Sequence, residues 1–387
     1  MDDKEDISSL ISDLSDLEVA LLLSLAAHEH CLIETTNDCI HDVAKELALI
    51  CSSVFSRTCK ILECSSATSL EDFYSEILVP EILESDVSKA IAPYSRPRKG
   101  AESLSIRHNT TEPRDRTRSP GFRNVSGDKK VVDVVIAKNF NYVDGDIQLH
   151  ALEVGFLNHH NDALLNHRQL MRSKRLKTNH GPIEAPPDFL FVPLVVRSSD
   201  QLHPRLNHHL NDHLILSHFH DPTDGYVHLE DNTDWLSDGQ LSASSVVRKS
   251  DAQLKNQRLA VDQKLLDQIQ HLSASVSVGA DISRYQQDIV VFLRLSRAVA
   301  GGITARSNMQ FTKLSKLLAT LHGIDYLTPS IVALAARKAF RHRIVLAEPE
   351  DDRSLQYGSD IRAVTKILAQ ASPDSILDGV LALEPPL

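Results

Sequence analysis

The chain has 387 residues, 42% of them hydrophobic, with 52 Asp and Glu against 41 Lys and Arg for a formal net charge of -11. That length allows two or three domains with a sizeable core. The acidic balance argues against nucleic acid as the main partner, since phosphate binding needs concentrated Lys and Arg. All five cysteines, Cys31, Cys39, Cys51, Cys59 and Cys64, fall in the first sixth of the chain and form no CxxC pair. They read as free thiols of a reducing compartment rather than as a disulfide frame.

The opening MDDKEDISSL is acidic and lacks the basic region of a signal peptide. The apolar run Val19–Ala27 is too short to span a bilayer. A soluble intracellular protein of the cytoplasm or nucleus, without a membrane partner, is the expectation. Residues 7–30 predict a helix, with Leu10, Ile11, Leu14, Leu17, Leu21, Leu22 and Leu25 on a broad apolar face. His30–Glu34 predicts a short strand. Asn37 and Asp38 predict the cap of a second helix reaching about Ser52. Lys60–Cys64 predicts another strand and Ser69–Ile77 another helix. This rhythm points to a parallel α/β sheet.

Residues 94–130 are rich in Arg, Ser and Pro and poor in apolar side chains. Such a segment cannot bury enough surface to offset its ordering entropy, and it reads as a disordered basic linker. Its arginines could meet an anion or a partner, but a solvated loop is the plainer reading. Val131–Ala137, nearly all β-branched, predicts a buried parallel strand. Asp146–Glu153 predicts a helix that Leu170–Leu176 would continue. Residues 154–169 interrupt it and read as an insertion, so their histidines are set aside as a site. Pro187–Val196 predicts a further buried strand. Residues 205–214 predict a polar helix ending near the strand-like LILSHF. Residues 222–252 read as a polar linker, and the pattern from Gln253 onward is helical throughout. The expected layout is an α/β domain in two parts, 1–93 and 131–221, followed by a helical domain at 253–387.

The helical region contains YQQDIVVFLRLSRAVAGGITAR and then DYLTPSIVALAARKAFRHRI. These residues resemble the C-terminal lid of an AAA+ ATPase of the magnesium-chelatase I subunit and MoxR type. The resemblance covers most of the chain outside the linkers and the insertion. It implies an AAA+-type parallel-sheet domain with a helical lid. It also implies a ring- or complex-forming ATPase with ATP and magnesium as cofactors, and protein partners or an oligomer. Transferred without scrutiny, it would imply magnesium insertion into protoporphyrin.

The residues that such an activity needs are missing. A P-loop cradles phosphates with glycine-rich backbone, a Lys and a Ser/Thr. After HCLIE the chain reads TTNDCIHDVAKEL, without glycine and without a Lys-Ser/Thr pair; Lys45 lies too deep in the helix. The strand VVDVVIA should end in Asp-Glu to hold magnesium and orient water. Here Lys138 and Asn139 follow it, and neither replaces a carboxylate. Asp133 lies out of register and reads as a polar residue at the strand's start. The strand FLFVPLVV ends apolar where the family has a polar sensor. The resemblance puts His213 where the family has an arginine reaching a neighbouring subunit, with Arg205 nearby as a partial substitute. It puts Arg306 at the lid's phosphate-sensing arginine, although a surface ion pair would also explain it. Arg306 and Arg205 are therefore the candidate nucleotide contacts, and no catalytic residue is assigned. Arg294, Arg297, Arg337, Arg341 and Arg343 are candidate partner or nucleotide contacts, or lid surface charge. Thr328-Pro329 predicts a capped helix start.

Residues 203–228 hold His203, His208, His209, His213, His218, His220 and His228. His209 and His213 would share a helical face, and His218, His220 and Asp221 could gather at a strand end. Zinc or iron is conceivable, but no HExxH or nearby cysteine accompanies them, so no metal site is assigned. No GxSxG supports serine catalysis. The sequence reading is a degenerate AAA+ protein acting as a non-hydrolysing scaffold. Its alternatives are a divergent ATP-binding subunit of a hetero-oligomer, and a histidine-based metal-binding protein.

Overall fold

The computed structural model describes residues 14–80, 129–156, 186, 188–197, 206–231 and 260–382. The stretches read as the basic linker (up to residue 128), the insertion beyond Phe156, and Arg205 lie outside them.

Helix α1, Asp16–Ala27, begins at a reciprocal cap. Ser15 Oγ accepts from the Glu18 amide at 3.3 Å, and Glu18 accepts from the Ser15 amide at 2.6 Å. It ends three residues earlier than the periodicity predicts, because His28 takes a left-handed conformation (φ 49°) that turns the chain into β1, His30–Thr35. All six residues of β1 are buried. A single 3-10 turn, Asn37–Cys39, leads into α2, Ile40–Ser53. Neither Asn37 nor Asp38 caps this helix as predicted: the cap positions fall at Thr36 and Cys39, and no side chain bonds there.

Strand β2, Cys59–Glu63, and helix α3, Leu70–Ile77, follow. The predicted strand 131–137 divides in two. Lys129–Val131 (β4) pairs antiparallel with Leu78–Pro80 (β3), and Val134–Lys138 forms β5. Asp133 makes the break, its carboxylate accepting from the Thr58 amide at 2.9 Å and hydroxyl at 2.7 Å. Helix α4, Gly145–Phe156, precedes β6, Leu190–Val196. The predicted polar helix shrinks to one turn, α5 His208–Asn211, before β7, Leu214–Phe219. Beyond it Pro222–Asp224 and α6, Val227–Asp231, are helical, and His228 is buried. Ordered structure thus extends into the stretch read as a polar linker.

The main sheet is wholly parallel, in the order β2-β5-β6-β1-β7. Along β5 and β6 the two faces alternate. Val134, Ile136, Val192 and Leu194 join the large apolar cluster under α1 and α2, while Val135, Ala137 and Phe191 join a smaller one with Phe73 and Phe140.

The second domain comprises α7 Gln263–Ser275, α8 Ala280–Leu295, α9 Ala305–Leu321, α10 Pro329–Phe340, α11 Ile361–Leu368 and α12 Pro373–Leu381. It is not helical throughout: β8, Val299–Gly301, pairs antiparallel with β9, Val345–Leu346. Thr328 caps α10 with Pro329 in its first turn, as the sequence predicts. The large cluster is continuous from α1 and β1 into α9 and α10, so the lid shares the core of the α/β domain. The five cysteines are free. Among the described residues no helix is long and apolar enough to cross a membrane.

Candidate functional site

A doubly wound sheet offers its binding crevice at the carboxyl ends of the strands, where strand order reverses. Here β1 sits between β6 and β7, and the chain leaves it by a single turn into α2. At the end of β1, Glu34 is 2% exposed and forms an ion pair with Arg341, just past α10 of the lid. Arg341 Nε also donates to Asp374 at 2.8 Å, in the first turn of α12. The other Asp374 oxygen accepts from Arg197 at 3.1 Å, immediately after β6. The Arg197 guanidinium lies 5.1 Å over the ring of Phe219, at the end of β7. A chain of alternating charge thus runs from β1 to the lid and back to β6. Burial would lower the Arg341 pKa, but Glu34 and Asp374 hold it above the ordinary value.

A second cation stands at the end of β5. Lys138 is 2% exposed, forms an ion pair with Glu63 at the end of β2, and donates to His41 Nδ1 at 2.7 Å in the first turn of α2. Asn139, after it, is held at φ 58°. This edge therefore presents a carboxylate where a phosphate loop would begin and an ammonium where magnesium would need a carboxylate. The donor set does not fit a magnesium–nucleoside triphosphate.

Arg306 lies at the other end of the sheet. It bonds His213, the residue before β7, close to the start of β1. The structure thus brings together Arg306, the lid's candidate nucleotide contact, and His213, the residue standing where the resemblance has an arginine reaching a neighbouring subunit. Burial, then Arg306, push the His213 pKa down to about 3, leaving a neutral ring that accepts from the guanidinium. Around them Arg343, 2% exposed, donates to the Leu214 carbonyl and Gln310, and to the Ala339 carbonyl at 3.1 Å. Thr304 caps α9 through the Ser307 amide at 3.0 Å and donates to Asp212 at 2.5 Å. These bonds fasten the lid to the start of β7.

The remaining lid arginines act locally. Arg294 donates to the Ile303 carbonyl at 3.0 Å, Arg297 grips Asp352 at 2.5 and 3.0 Å, and Arg337 meets Asp378 at 2.5 Å. The histidines disperse. His209 and His213 do not share a continuous helix, because α5 stops at Asn211. Asp221 turns away to cap Pro222–Asp224. Glu18 accepts from His228 Nε2 at 2.9 Å, while Glu46 accepts from the His228 and Leu229 amides, each at 2.8 Å. Among the described residues no group of three His, Cys, Asp or Glu could hold a metal ion.

The sequence reading missed Glu34 and Arg197. Their one signal was charge at the ends of otherwise apolar strands; pairing with residues some 180 to 300 positions away has no sequence signature.

A family model for the AAA lid domain matches residues 292–364. The Kluyveromyces lactis protein named maintenance of telomere capping protein 2 is 32% identical over 99 residues, 24% of this chain and 36% of that protein. Its Saccharomyces cerevisiae counterpart is 37% identical over 98 residues, 24% of this chain and 28% of that protein. The matched part thus spans about a third of the length of these relatives. The crystal structure of a candidate ATPase from Cytophaga hutchinsonii aligns with TM-score 0.50 at 12% identity, covering 95% of this chain and 96% of that one. The fold is therefore AAA+-like: a parallel α/β domain followed by a helical lid.

Proposed function

We propose that this chain is a non-hydrolysing AAA+ protein that serves as a scaffold or assembly partner in a larger complex. The observation that carries the reading is the buried Glu34–Arg341 pair at the end of β1, where a nucleotide's phosphates would otherwise lie. A carboxylate there repels phosphate, and the guanidinium that could attract it is already engaged on two sides. Lys138 in place of an acid, and the glycine-free turn after β1, point the same way.

The lid sequence supports a finer kinship with the magnesium-chelatase I subunit and MoxR proteins, and with it homo- or hetero-oligomerisation. The yeast relatives' name supports placing the complex in the nucleus, among proteins that maintain telomere capping. A second reading keeps Arg306, which is only partly buried beside His213, as a nucleotide contact, and it requires the nucleotide to sit at the start of β7 rather than at the carboxyl ends of the strands. In it the chain is a divergent subunit that contacts nucleotide through Arg306 and Arg205, with catalytic groups donated by a partner.

Calorimetric titration of the purified chain with ATP and magnesium separates the two. The scaffold reading expects no saturable heat up to millimolar nucleotide. Saturable binding that Arg306→Ala abolishes would replace it with the second reading. A parallel titration with double-stranded DNA tests the acidic chain's expected indifference to nucleic acid.

A further inference from the structure

Residues 220–231 leave the carboxyl end of β7, pass over that of β1 and then lie along α2. The first residue is tied to β1: the His220 amide donates to the Glu34 carbonyl at 2.9 Å, and Thr35 Oγ1 donates to the His220 carbonyl at 3.4 Å. Further on, Tyr226 stands beside Cys39, the residue before α2. The far end is anchored by Glu46 of α2, which takes two amides of the segment, and by His228, which lies 3.3 Å from Ser53 Oγ through Nδ1 and meets Glu18 through Nε2. The segment is therefore a strap across the turn between β1 and α2.

One side chain of the strap is closed in at a cost. His220 is 3% exposed, and both of its ring nitrogens are buried without a hydrogen-bond partner among the described residues. Its ring packs against Tyr226, the centroids 5.3 Å apart. A neutral imidazole carries one donor and one acceptor, and the closed strap forfeits both. The nearby carboxylates are occupied elsewhere. Asp221 accepts from the Thr223 amide and hydroxyl, Asp224 from the Asp221 amide, and Glu34 is paired with Arg341. Asp16 reaches across from α1, and His218 stands beside it on β7, itself hydrogen-bonded to Lys338. Burial outweighs the pull of Asp224, Asp221 and Asp16 and holds the His220 pKa below its ordinary value.

We propose that residues 220–231 are a strap that His220 releases on mild acidification, baring the turn between β1 and α2. In the closed strap a second ring proton would be a buried charge without a hydrogen-bond partner. In the released strap water satisfies both nitrogens, and the ring titrates near pH 6.5. The released form thus binds more protons, so release gains as pH falls below that value. The anchors respond differently. Glu18, which burial would raise but His228 and Ser15 hold low, adds to release only in more acid solution, whereas Glu46, raised chiefly by burial, opposes it. His228 keeps both ring nitrogens engaged and acts as an anchor. His218 belongs to β7 and stays in the sheet when the strap lifts.

The test is amide hydrogen–deuterium exchange of the full chain at about pH 7.5 and about pH 5.5, on either side of the ordinary histidine value. Uptake is read by peptide mass and corrected for the intrinsic exchange rate. Opening of 220–231 should rise several-fold, up to about tenfold for one ring titrating, while amides of β1 and α9 stay protected. His220→Phe, which keeps an aromatic ring against Tyr226 but takes no proton, should abolish the rise. In the wild-type chain, deuterium uptake at His220 Cε1, which reports ring ionisation, should share the midpoint of strap opening. Strap exchange indifferent to pH, β1 and α9 opening in step with it, a rise that persists in His220→Phe, or a His220 midpoint apart from that of opening would overturn the proposal.

Discussion

Gly302 stands at φ 94°, and a Cβ placed there would run into the carbonyl oxygen of Arg343. Both the backbone region and the space are closed to a side chain, so Gly302→Ala should cost more than about 1 kcal/mol in urea unfolding. Glu18 offers a pH test. Burial would raise its carboxyl, but hydrogen bonds from His228 and Ser15 hold it below the ordinary value. A depressed folded-state pKa contributes stability that is present above the ordinary carboxylate range and is lost as pH falls through the lowered value. Glu18→Gln should therefore cost about 1–3 kcal/mol at neutral pH and flatten the acid limb of the stability profile. Glu46, raised chiefly by burial, titrates in the opposite sense, so the comparison must be variant against wild type. At this scale the sequence was partly legible. Thr328-Pro329 announced its cap, because capping is local chemistry. Glu18–His228 could not be seen, because its partners lie 210 positions apart.

Among the elements, the charge chain Glu34–Arg341–Asp374–Arg197 joins two strand ends to the lid. Removing one partner of a buried pair strands the other. Arg341→Ala should cost about 3–5 kcal/mol, because Glu34 remains almost fully buried. Adding Glu34→Gln should recover much of that loss, since no unpaired charge is left. A double-mutant cycle by chemical denaturation measures the coupling. If the single variant loses under 1 kcal/mol, roughly the worth of a surface pair, the chain of charge is not fastening the lid. The strand and helix pattern was legible where apolar periodicity was unbroken, as in β1, β6 and α10. It failed at residues 131–137 because β-branched character marks strand propensity without marking which neighbour a strand pairs with. The antiparallel pair β8–β9 escaped notice because its strands have three and two residues, too few for a period.

Over the whole molecule, the large apolar cluster is common to the sheet and the lid. The two should unfold as one cooperative unit, with far-UV circular dichroism and hydrogen exchange of β1 and α9 giving coincident transitions. Two separated transitions would contradict a shared core. The layout of a parallel domain and helical lid could be read from the order of patterns along the chain. The candidate site could not, because it is assembled from residues in β1 and α12 and just past β6 and α10 that only the fold brings together. The strand order has a temporal consequence. Every residue of central β1 is buried, yet its partners arrive late: Ile33 pairs with Leu194, and His30 with Leu214. At ribosomal speeds of roughly 5–20 residues per second, this apolar strand waits on the order of ten to thirty seconds for either neighbour. The nascent chain is thus a natural client for a co-translational chaperone, and its yield should depend on elongation rate between β1 and β7.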